Sequence, residues 1–298
     1  MTLDWDKLRI FHAAAEAGSF THAGEALSIS QSAVSRHISA LERDLNVPLF
    51  HRHARGLVLT EQGELLYRTA QDVFSKLATT QILLADSRGK PSGELKVTTT
   101  MALGTGWLTP RLNEFMKLYP DIRLQLLLDD EIRNLTMREA DVAIWFGAPT
   151  QQDLVRRRLF TVHYHAYASI DYLKRRGKPK GPEDLDKHSI VTYGGPVPSP
   201  FKEMNWLETV GRDGQGAREP ALRINSLIAL REAVAQGIGI AVLPDYLAKD
   251  YPRLVHVLED VEMPEFDTYF VYPEDLKDTK RVNAFRDFLI SKSREWNF

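Results

Sequence analysis

Phe20-Thr-His-Ala-Gly-Glu-Ala-Leu27, Ser28-Ile-Ser30 and Gln31-Ser-Ala-Val-Ser-Arg-His-Ile-Ser-Ala-Leu-Glu-Arg-Asp-Leu45 decide the fold of the first part of this chain. They read as a short helix, a three-residue turn and a longer helix. Thr21 and Ser30 stand where N-caps belong, since a hydroxyl there accepts an orphan backbone N–H. In the second helix Val34, Ile38, Leu41 and Leu45 recur at steps of four, three and four, which puts them on one stripe. The opposite face carries Gln31, Ser32, Ser35, Arg36 and Ser39. It is polar, short-armed and nearly free of acid, as the recognition helix of a helix-turn-helix must be to enter a major groove. Beyond it, Val47-Pro-Leu-Phe50 and Leu57-Val-Leu-Thr60 flank His51-Arg-His-Ala-Arg-Gly56. Two apolar runs around a basic turn suggest a two-stranded wing, with Arg52 and Arg55 reaching phosphate or the minor groove.

A helical hairpin in any core shows similar spacing, but more of the chain follows the pattern. Asp4-Trp-Asp-Lys-Leu-Arg-Ile-Phe-His-Ala-Ala-Ala-Glu-Ala-Gly18 precedes it, giving a first helix over 4–17 with Leu8, Phe11 and Ala15 inward and Gly18 as its stop. Ser19-Phe20, Ala23, Ala26-Leu27, Ser30-Gln31-Ser-Ala-Val-Ser35, Ile38, Leu41-Glu42, Leu45, Leu49-Phe50, Arg52, Leu59-Thr60, Gly63 and Leu66 then follow in order. Together these residues closely resemble the N-terminal signature of bacterial LysR-type transcriptional regulators. The resemblance implies double-stranded DNA as a partner, homotetramers on interrupted inverted repeats, contact with RNA polymerase and control by a small-molecule effector.

The chain has 298 residues, enough for two or three domains, with 43% hydrophobic and 26% charged content typical of a globular protein. It has no cysteine, which excludes disulfides, thiolate metal sites and a cysteine nucleophile. No apolar run approaches the ~20 residues of a membrane helix. The N-terminus lacks a signal peptide's apolar stretch, so a cytoplasmic protein without membrane partners is expected. The net charge of −2 is unusual for a nucleic-acid binder, so the signal lies in placement. Asp4, Asp6 and Glu16 fall in the first helix, whereas Arg36, His37, His51, Arg52, His53 and Arg55 fall in the recognition helix and wing. Such a dipolar head binds DNA in a strongly salt-dependent way.

Thr60-Glu61-Gln62 opens a long helix running to about Ser87, some 40 Å at 1.5 Å per residue. Leu66, Ala70, Val73, Leu77, Thr80 and Leu84 recur alternately at four and three. An amphipathic helix on a globular core has the same spacing. So narrow a seam on so long a helix, ending at Arg88-Gly-Lys-Pro91-Ser-Gly93, favours a dimerising linker.

From Gly93 strands alternate with helices. Strands are expected at Glu94–Thr100, Ile122–Leu128, Asp141–Phe146, Leu159–Ala168, Ser189–Tyr193, Ile238–Pro244 and Phe266–Tyr272. Helices are expected at Trp107–Tyr119, Ile132–Arg138, Asn225–Gln236 and Lys280–Lys292, with a helical turn at Asp245–Lys249. This order implies a parallel sheet with helices on both faces. Two such halves, crossed by strands near 160–165 and 265–270, suggest a two-lobed periplasmic-binding-protein-like effector domain, which the LysR resemblance also implies. Ala235-Gln-Gly-Ile-Gly-Ile-Ala-Val-Leu-Pro244 is its best C-terminal marker, and Thr98-Thr-Thr100, Trp107-Leu-Thr-Pro110 and Trp206–Arg212 are similar to the LsrB-like branch. The expected fold is therefore α/β, with an all-α-dominated winged helix-turn-helix at 1–59, a linker helix at 60–90 and an effector domain at 91–298. Lobe I takes about 91–162 and 267–298, and lobe II about 163–266.

Gly104-Thr-Gly106-Trp-Leu-Thr109, with Asp129 further on, partly imitates a dinucleotide fingerprint. The third glycine is absent and Trp107 would crowd a pyrophosphate, so no cofactor is expected. His51 and His53, and His163 and His165, alternate on strands, but no acidic or cysteine ligands accompany them, so no metal is expected either. No Ser or Thr sits in a nucleophile-elbow pattern, which argues against an enzyme.

Ligands of open α/β sheets bind at the carboxyl ends of strands. Thr98, Thr99 and Thr100 end the first effector-domain strand, and Thr98 and Thr100 share a face. Thr100 and Met101 fall where the resemblance implies effector contacts. Phe146 ends another strand, and Asn225 and Ser226 cap a helix in the second lobe. Hydroxyls and helix amides there favour a small anion against an aromatic wall. A regulator is thus expected; the alternatives are an α/β enzyme or a small-ligand-binding protein with an appended DNA-binding head.

Overall fold

The computed structural model describes residues 4–53, 56–86, 90–131, 133–147, 153–195, 201, 204–212, 214 and 216–295; the side chains at 52, 53, 56, 75, 78, 79 and 81–86 lie outside that set. Two compact units divide the chain, Met1–Leu84 and Ala85–Phe298.

The first unit opens with α1 (Trp5–Ala17), capped by the Asp4 carboxylate and closed by Gly18 in the left-handed region at φ 58°. Helix α2 (Phe20–Leu27) starts under Ser19, whose Oγ accepts the Thr21 N–H. The cap is Ser19 rather than the expected Thr21, because the reversal at Gly18 leaves Ser19 extended and lets Phe20 enter the core as the first helical residue. Helix α3 (Gln31–Leu45) is capped by Ser30 and ends at Asn46 in the left-handed region. Val34, Ile38 and Leu41 of α3 are buried with Leu8, Phe11, Ala14, Phe20 and Ala23 in one core. Ala14, rather than the expected Ala15, is the fully buried alanine of α1. Strands β1 (Phe50–His53) and β2 (Gly56–Leu59) pair antiparallel from Phe50↔Leu59 to His53↔Gly56. Helix α4 (Glu61–Asp86) follows at once. Thr60 caps it, taking the Gly63 N–H at 2.9 Å while its own hydroxyl donates to the Pro48 carbonyl.

In the second unit β3 (Gly93–Thr99) leads into α5 (Met101–Leu103). A π-turn over Gly104–Leu108 and a 3-10 turn over Thr109–Arg111 carry the chain into α6 (Leu112–Leu118). The expected helix start at Trp107 moves back to Met101. Gly104 and Gly106 do not break the helix. A Cβ at Gly104 would overlap the Leu128 side chain, and one at Gly106 would lie 2.5 Å from Leu247 Cδ2. The two glycines allow close packing, which accounts for the partial dinucleotide pattern.

The chain continues through β4 (Ile122–Leu128), β5 (Val142–Phe146), β6 (Leu154–Ser169), α7 (Ile170–Arg176), β7 (Val191–Tyr193), β8 (Leu222–Ile224), α8 (Leu227–Ala235), β9 (Ala241–Pro244), α9 (Asp245–Ala248), β10 (Leu254–Val257), β11 (Glu265–Pro273) and α10 (Lys280–Ser293). The main sheet has order β10-β6-β11-β5-β3-β4, with β9 also on β6. Strand β3 lies parallel to β4 and β5, as expected, but β11 runs antiparallel to both β5 and β6. The sheet is therefore mixed, because β6 and β11 carry the chain across and back. Strand β6 has 16 residues and belongs to both lobes. Its first half pairs with β11, and from Tyr164 onward it pairs with β9 and β10.

The helix expected at Ile132–Arg138 is absent among the described residues; Leu135–Arg138 form a turn. The Asn134 side chain accepts the Thr136 and Met137 N–H groups, and Glu139 accepts that of Asn134. Such local side-chain bonds compete with a helix for the same donors.

Candidate nucleic-acid interface and ligand cavity

Helix α3 turns its apolar stripe into the first unit's core, which leaves Gln31, Ser32 and Arg36 exposed and Ser35 half-buried. Ser30 accepts the Ala33 N–H and lies 3.0 Å, Oγ to Oγ, from Ser32. The first turn of α3 holds no acid, so its orphan N–H groups and positive dipole end face outward unneutralised. Arg36 makes no ion pair among the described residues. The opposite side of α3 is anchored. Asp44 pairs with Lys7 of α1 at 2.6 Å, and Glu42 Oε1 accepts the Leu49 and Phe50 N–H groups at 2.8 and 3.3 Å. The Leu57 N–H donates to the Gly18 carbonyl, fixing β2 to the end of α1. Arg52 belongs to β1 by its backbone; its side chain, and Arg55 altogether, lie outside the described residues.

The stripe on α4 has two uses. Leu66 and Ala70 pack into the unit's own core with Tyr67 and Phe74. Phe74 lies 4.9 Å from the Trp5 ring and 5.0 Å from His12. Val73 and Leu77, further along, are 36% and 44% exposed, and Leu65 is 70% exposed. The Leu84 side chain is outside the described residues.

In the second unit the three threonines ending β3 separate. Thr98 Oγ1 donates to the Leu127 carbonyl of β4 and Thr99 Oγ1 to the Ile144 carbonyl of β5, so both lock strands together. Thr100 Oγ1 accepts the Leu103 N–H and caps α5. It opens onto a cavity at the carboxyl ends of β3, β4 and β5, whose polar lining is Thr100, Asp130, Tyr164, Tyr193 and Tyr246. Phe146, Phe201, Met204, Leu227 and Ala102 complete the wall. The space among these residues is about 350 Å³, part of it open to solvent.

Asp130 sits just past β4, and its Oδ1 accepts the Met101 N–H at 3.1 Å. Burial pushes its carboxyl above the usual range, the Met101 N–H pulls it back, and Asp129 pushes it up again. Tyr164, Tyr193 and Tyr246 are all pushed up, first by burial, with the Asp130 charge adding to each. All three phenols therefore stay protonated at neutral pH. Tyr193 is held from both sides by Asn205, which accepts its N–H and donates to its carbonyl, each at 2.9 Å. Phe201 stands edge-on to Phe146 at 4.9 Å.

Of the expected effector contacts, Thr100 and Phe146 line this cavity. Met101 and Asn225 are exposed, and Ser226 caps α8 by accepting the Ala229 N–H; these three are outside the lining, although Leu227 is in it. Asp130, Tyr164, Tyr193 and Tyr246 were not singled out from sequence. Asp130 could have been, since it follows the carboxyl end of a strand as Thr100 does. Of the helix amides expected to favour an anion there, that of Met101 is already taken by Asp130 and that of Leu103 by Thr100.

His163 and His165 have different partners. His163 Nε2 lies 3.4 Å from Glu265 Oε2, and His165 Nδ1 lies 2.8 Å from Asp245 Oδ1. Among the described residues no group of three or more His, Cys, Asp or Glu is arranged to hold a metal, and no helix is long and apolar enough to cross a membrane.

Comparison with known proteins agrees with this geometry. Residues 5–64 match the bacterial regulatory helix-turn-helix protein of the lysR family, and residues 88–294 match the LysR substrate binding domain. An HTH-type transcriptional regulator of Xanthomonas campestris is 31% identical over 98% of this chain and 86% of its own length. The HTH-type transcriptional regulator CrgA of Neisseria meningitidis is 31% identical over 98% of both chains. The solved structure of CrgA, a LysR-type regulator from that organism, has a TM-score of 0.61 at 29% identity, covering 98% of this chain and 99% of its own. With the helix-turn-helix in one unit and the two-lobed α/β fold in the other, the chain belongs to the LysR family: it is a DNA-binding transcriptional regulator with an effector-binding domain, not an enzyme.

Proposed function

We propose that α3 reads operator DNA through Gln31, Ser32, Ser35 and Arg36, and that Arg52 and Arg55 of the wing contact the DNA backbone or minor groove. Residues 1–59 form the DNA-binding domain, 60–90 the linker and 91–298 the sensor, with lobe I at about 91–162 and 267–298 and lobe II at about 163–266. Two copies pair through the exposed stripe of α4, centred on Val73 and Leu77 with Leu66 at its edge, and two pairs make a tetramer. The protein works in the cytoplasm, and its output runs through contact with RNA polymerase. A small polar effector occupies the cavity beside Thr100 and Phe146. A small anion is the less favoured class, because Asp130 already engages the Met101 N–H. Met101, Asn225 and Ser226 serve as secondary contacts to it.

The observation that carries this reading is the exposed, acid-free face of α3, with Arg36 unpaired among the described residues. The test is competition binding of the full chain to upstream DNA against a randomised duplex. Arg36→Ala costs ~1–3 kcal/mol with relaxed preference at one base pair, whereas Arg55→Ala weakens all sequences alike and lowers the salt slope. Unchanged binding in both variants removes the groove assignment. In sedimentation, Leu77→Asp yields a smaller assembly than the parent chain's tetramer, since an unpaired charge in that seam is costly to bury.

A further inference from the structure

We propose that the cavity of the second unit takes a small organic cation, an ammonium group met by Asp130 and ringed by Phe146, Tyr164, Tyr193, Phe201 and Tyr246. The inference rests on reading this cavity as the effector site, and it names the chemical class of the effector.

Charge is the first argument. The described lining contains one carboxylate and no Lys, Arg or His. Asp130 Oδ1 is spent on the Met101 N–H, and Oδ2 accepts no hydrogen bond among the described residues. The carboxylate is thus held in place by one oxygen and available through the other. An anion in the same space would face that carboxylate with no cation to offset it, in surroundings where burial makes like-charge contact costly.

The wall is the second argument. Aromatic faces attract cations through their quadrupoles, and cages of aromatic rings suit alkylated ammonium groups, whose methyl surface is apolar and whose charge is diffuse. Five aromatic side chains contribute here, from β5, β6, β7, α9 and the segment at Phe201. They are partly preorganised. Asn205 fixes the Tyr193 backbone, the Phe146–Phe201 contact fixes one corner, and Tyr164 lies edge-on to Phe266 at 5.3 Å. Little of the space among these residues is enclosed, so the occupant is a small head group and the aromatic wall has to yield to admit it.

The test uses the full chain with tetramethylammonium chloride and ethylammonium chloride, against sodium acetate and sodium propionate, with sodium chloride as the ionic control. Binding is read by ligand-observed NMR and DNA affinity by fluorescence anisotropy. Both organic cations bind saturably, and Asp130→Asn weakens them about tenfold or more. Asn keeps an acceptor for the Met101 N–H, so the variant removes charge with little change of shape. Phe146→Leu weakens tetramethylammonium more than ethylammonium. If Asp130→Asn does not fold, the wild-type panel decides alone. Acetate or propionate binding in place of the cations overturns the proposal, as does cation binding unchanged in both variants, or none in the wild type. If an anion binds the cavity and shifts DNA affinity, the effector site stands and the cation falls. If a cation binds through Asp130 and leaves DNA affinity unmoved, the cation site stands and the effector reading falls.

Discussion

Removing the Glu42 side chain tests how the recognition helix is tied to the wing. Glu42 Oε1 accepts two N–H groups, from Leu49 at 2.8 Å and Phe50 at 3.3 Å, and those residues are only 1% and 7% exposed. Pro48 lies just before them and has no N–H of its own to offer. Glu42→Ala therefore strands donors in a place water reaches poorly. An orphaned buried N–H costs about 1–3 kcal/mol, and the longer bond to Phe50 contributes less than the one to Leu49, so the sum is roughly 2–4 kcal/mol. Glu42→Gln keeps an acceptor and loses only the charge-assisted part, about 1 kcal/mol. In a unit the size of Met1–Leu84, each kcal/mol moves the melting temperature by roughly 4–8 °C. Calorimetry of the full chain then shows a large drop for Ala and a small one for Gln. Hydrogen exchange locates the effect, with protection lost first at the Leu49 and Phe50 amides. DNA affinity falls with it, because the wing enters at Phe50. If Glu42→Ala lies within about 0.5 kcal/mol of the parent and Leu49 stays protected, the carboxylate is not what holds the wing.

Gly63→Ala drives a methyl group into the Leu49 backbone carbonyl; the cost is about 1–3 kcal/mol, and denaturant unfolding with no loss would show that α4 can shift freely there. Burial pushes His256 below the ordinary imidazole value of 6.5, with His165 beside it adding to the effect. The unfolded chain thus takes up its proton first, so stability present above 6.5 is lost as the pH falls through the lower folded value. Urea midpoints at about pH 7.5 and about pH 5.5 show this loss; a His256→Leu variant with the same loss would assign it to other groups. Asp130 has the opposite sign. Its carboxyl is raised from 3.8 by burial, so the stability it contributes is full below 3.8 and is lost as the pH rises through the folded value. At neutral pH the ligand-free Asp130→Asn chain is accordingly more stable than the parent. A lower melting temperature in that variant would mean that the charge is compensated.

The DNA-binding head was legible because its determinants are local. Caps, the four-three-four spacing of Val34, Ile38, Leu41 and Leu45, and the Gly18 stop all act within a turn or two of the residues they organise. Even the misplaced cap, Thr21 for Ser19, is an error of two positions in a signal that any hydroxyl carries. Glu42 belonged to the recognised signature, but its partners Leu49 and Phe50 are known only from the fold. The sensor was legible in its strand and helix order and much less so in its cavity. The polar lining comes from Thr100, Asp130, Tyr164, Tyr193 and Tyr246, five segments whose approach depends on β6 switching partners at Tyr164. No periodicity reports such a meeting. Where the reading failed, over the described part of Ile132–Arg138, the Asn134 side chain takes amides that a helix would need. The short strands β8 and β10 left no alternation to detect.

The placement of those five residues also constrains how a bound molecule can act. Thr100 and Asp130 follow strands of the β3-β4-β5 side, whereas Tyr193 and Tyr246 belong to β7 and α9 on the β9-β10 side. Tyr164 lies between them, on the strand both sides share. A ligand shifts an equilibrium only by the difference in its affinity for the two states. One that touches Thr100 and Asp130 alone keeps the same contacts however the two sides are arranged, so it binds and changes nothing. One that also reaches Tyr193 or Tyr246 gains or loses contacts as the sides move, and only that difference is available to alter DNA affinity. The reverse must hold to the same extent, with operator DNA changing the affinity for the effector by an equal factor. Substituting Tyr193 by Phe, which removes a hydroxyl and keeps the ring, should therefore reduce the coupling between effector and DNA more than it reduces binding of the effector itself.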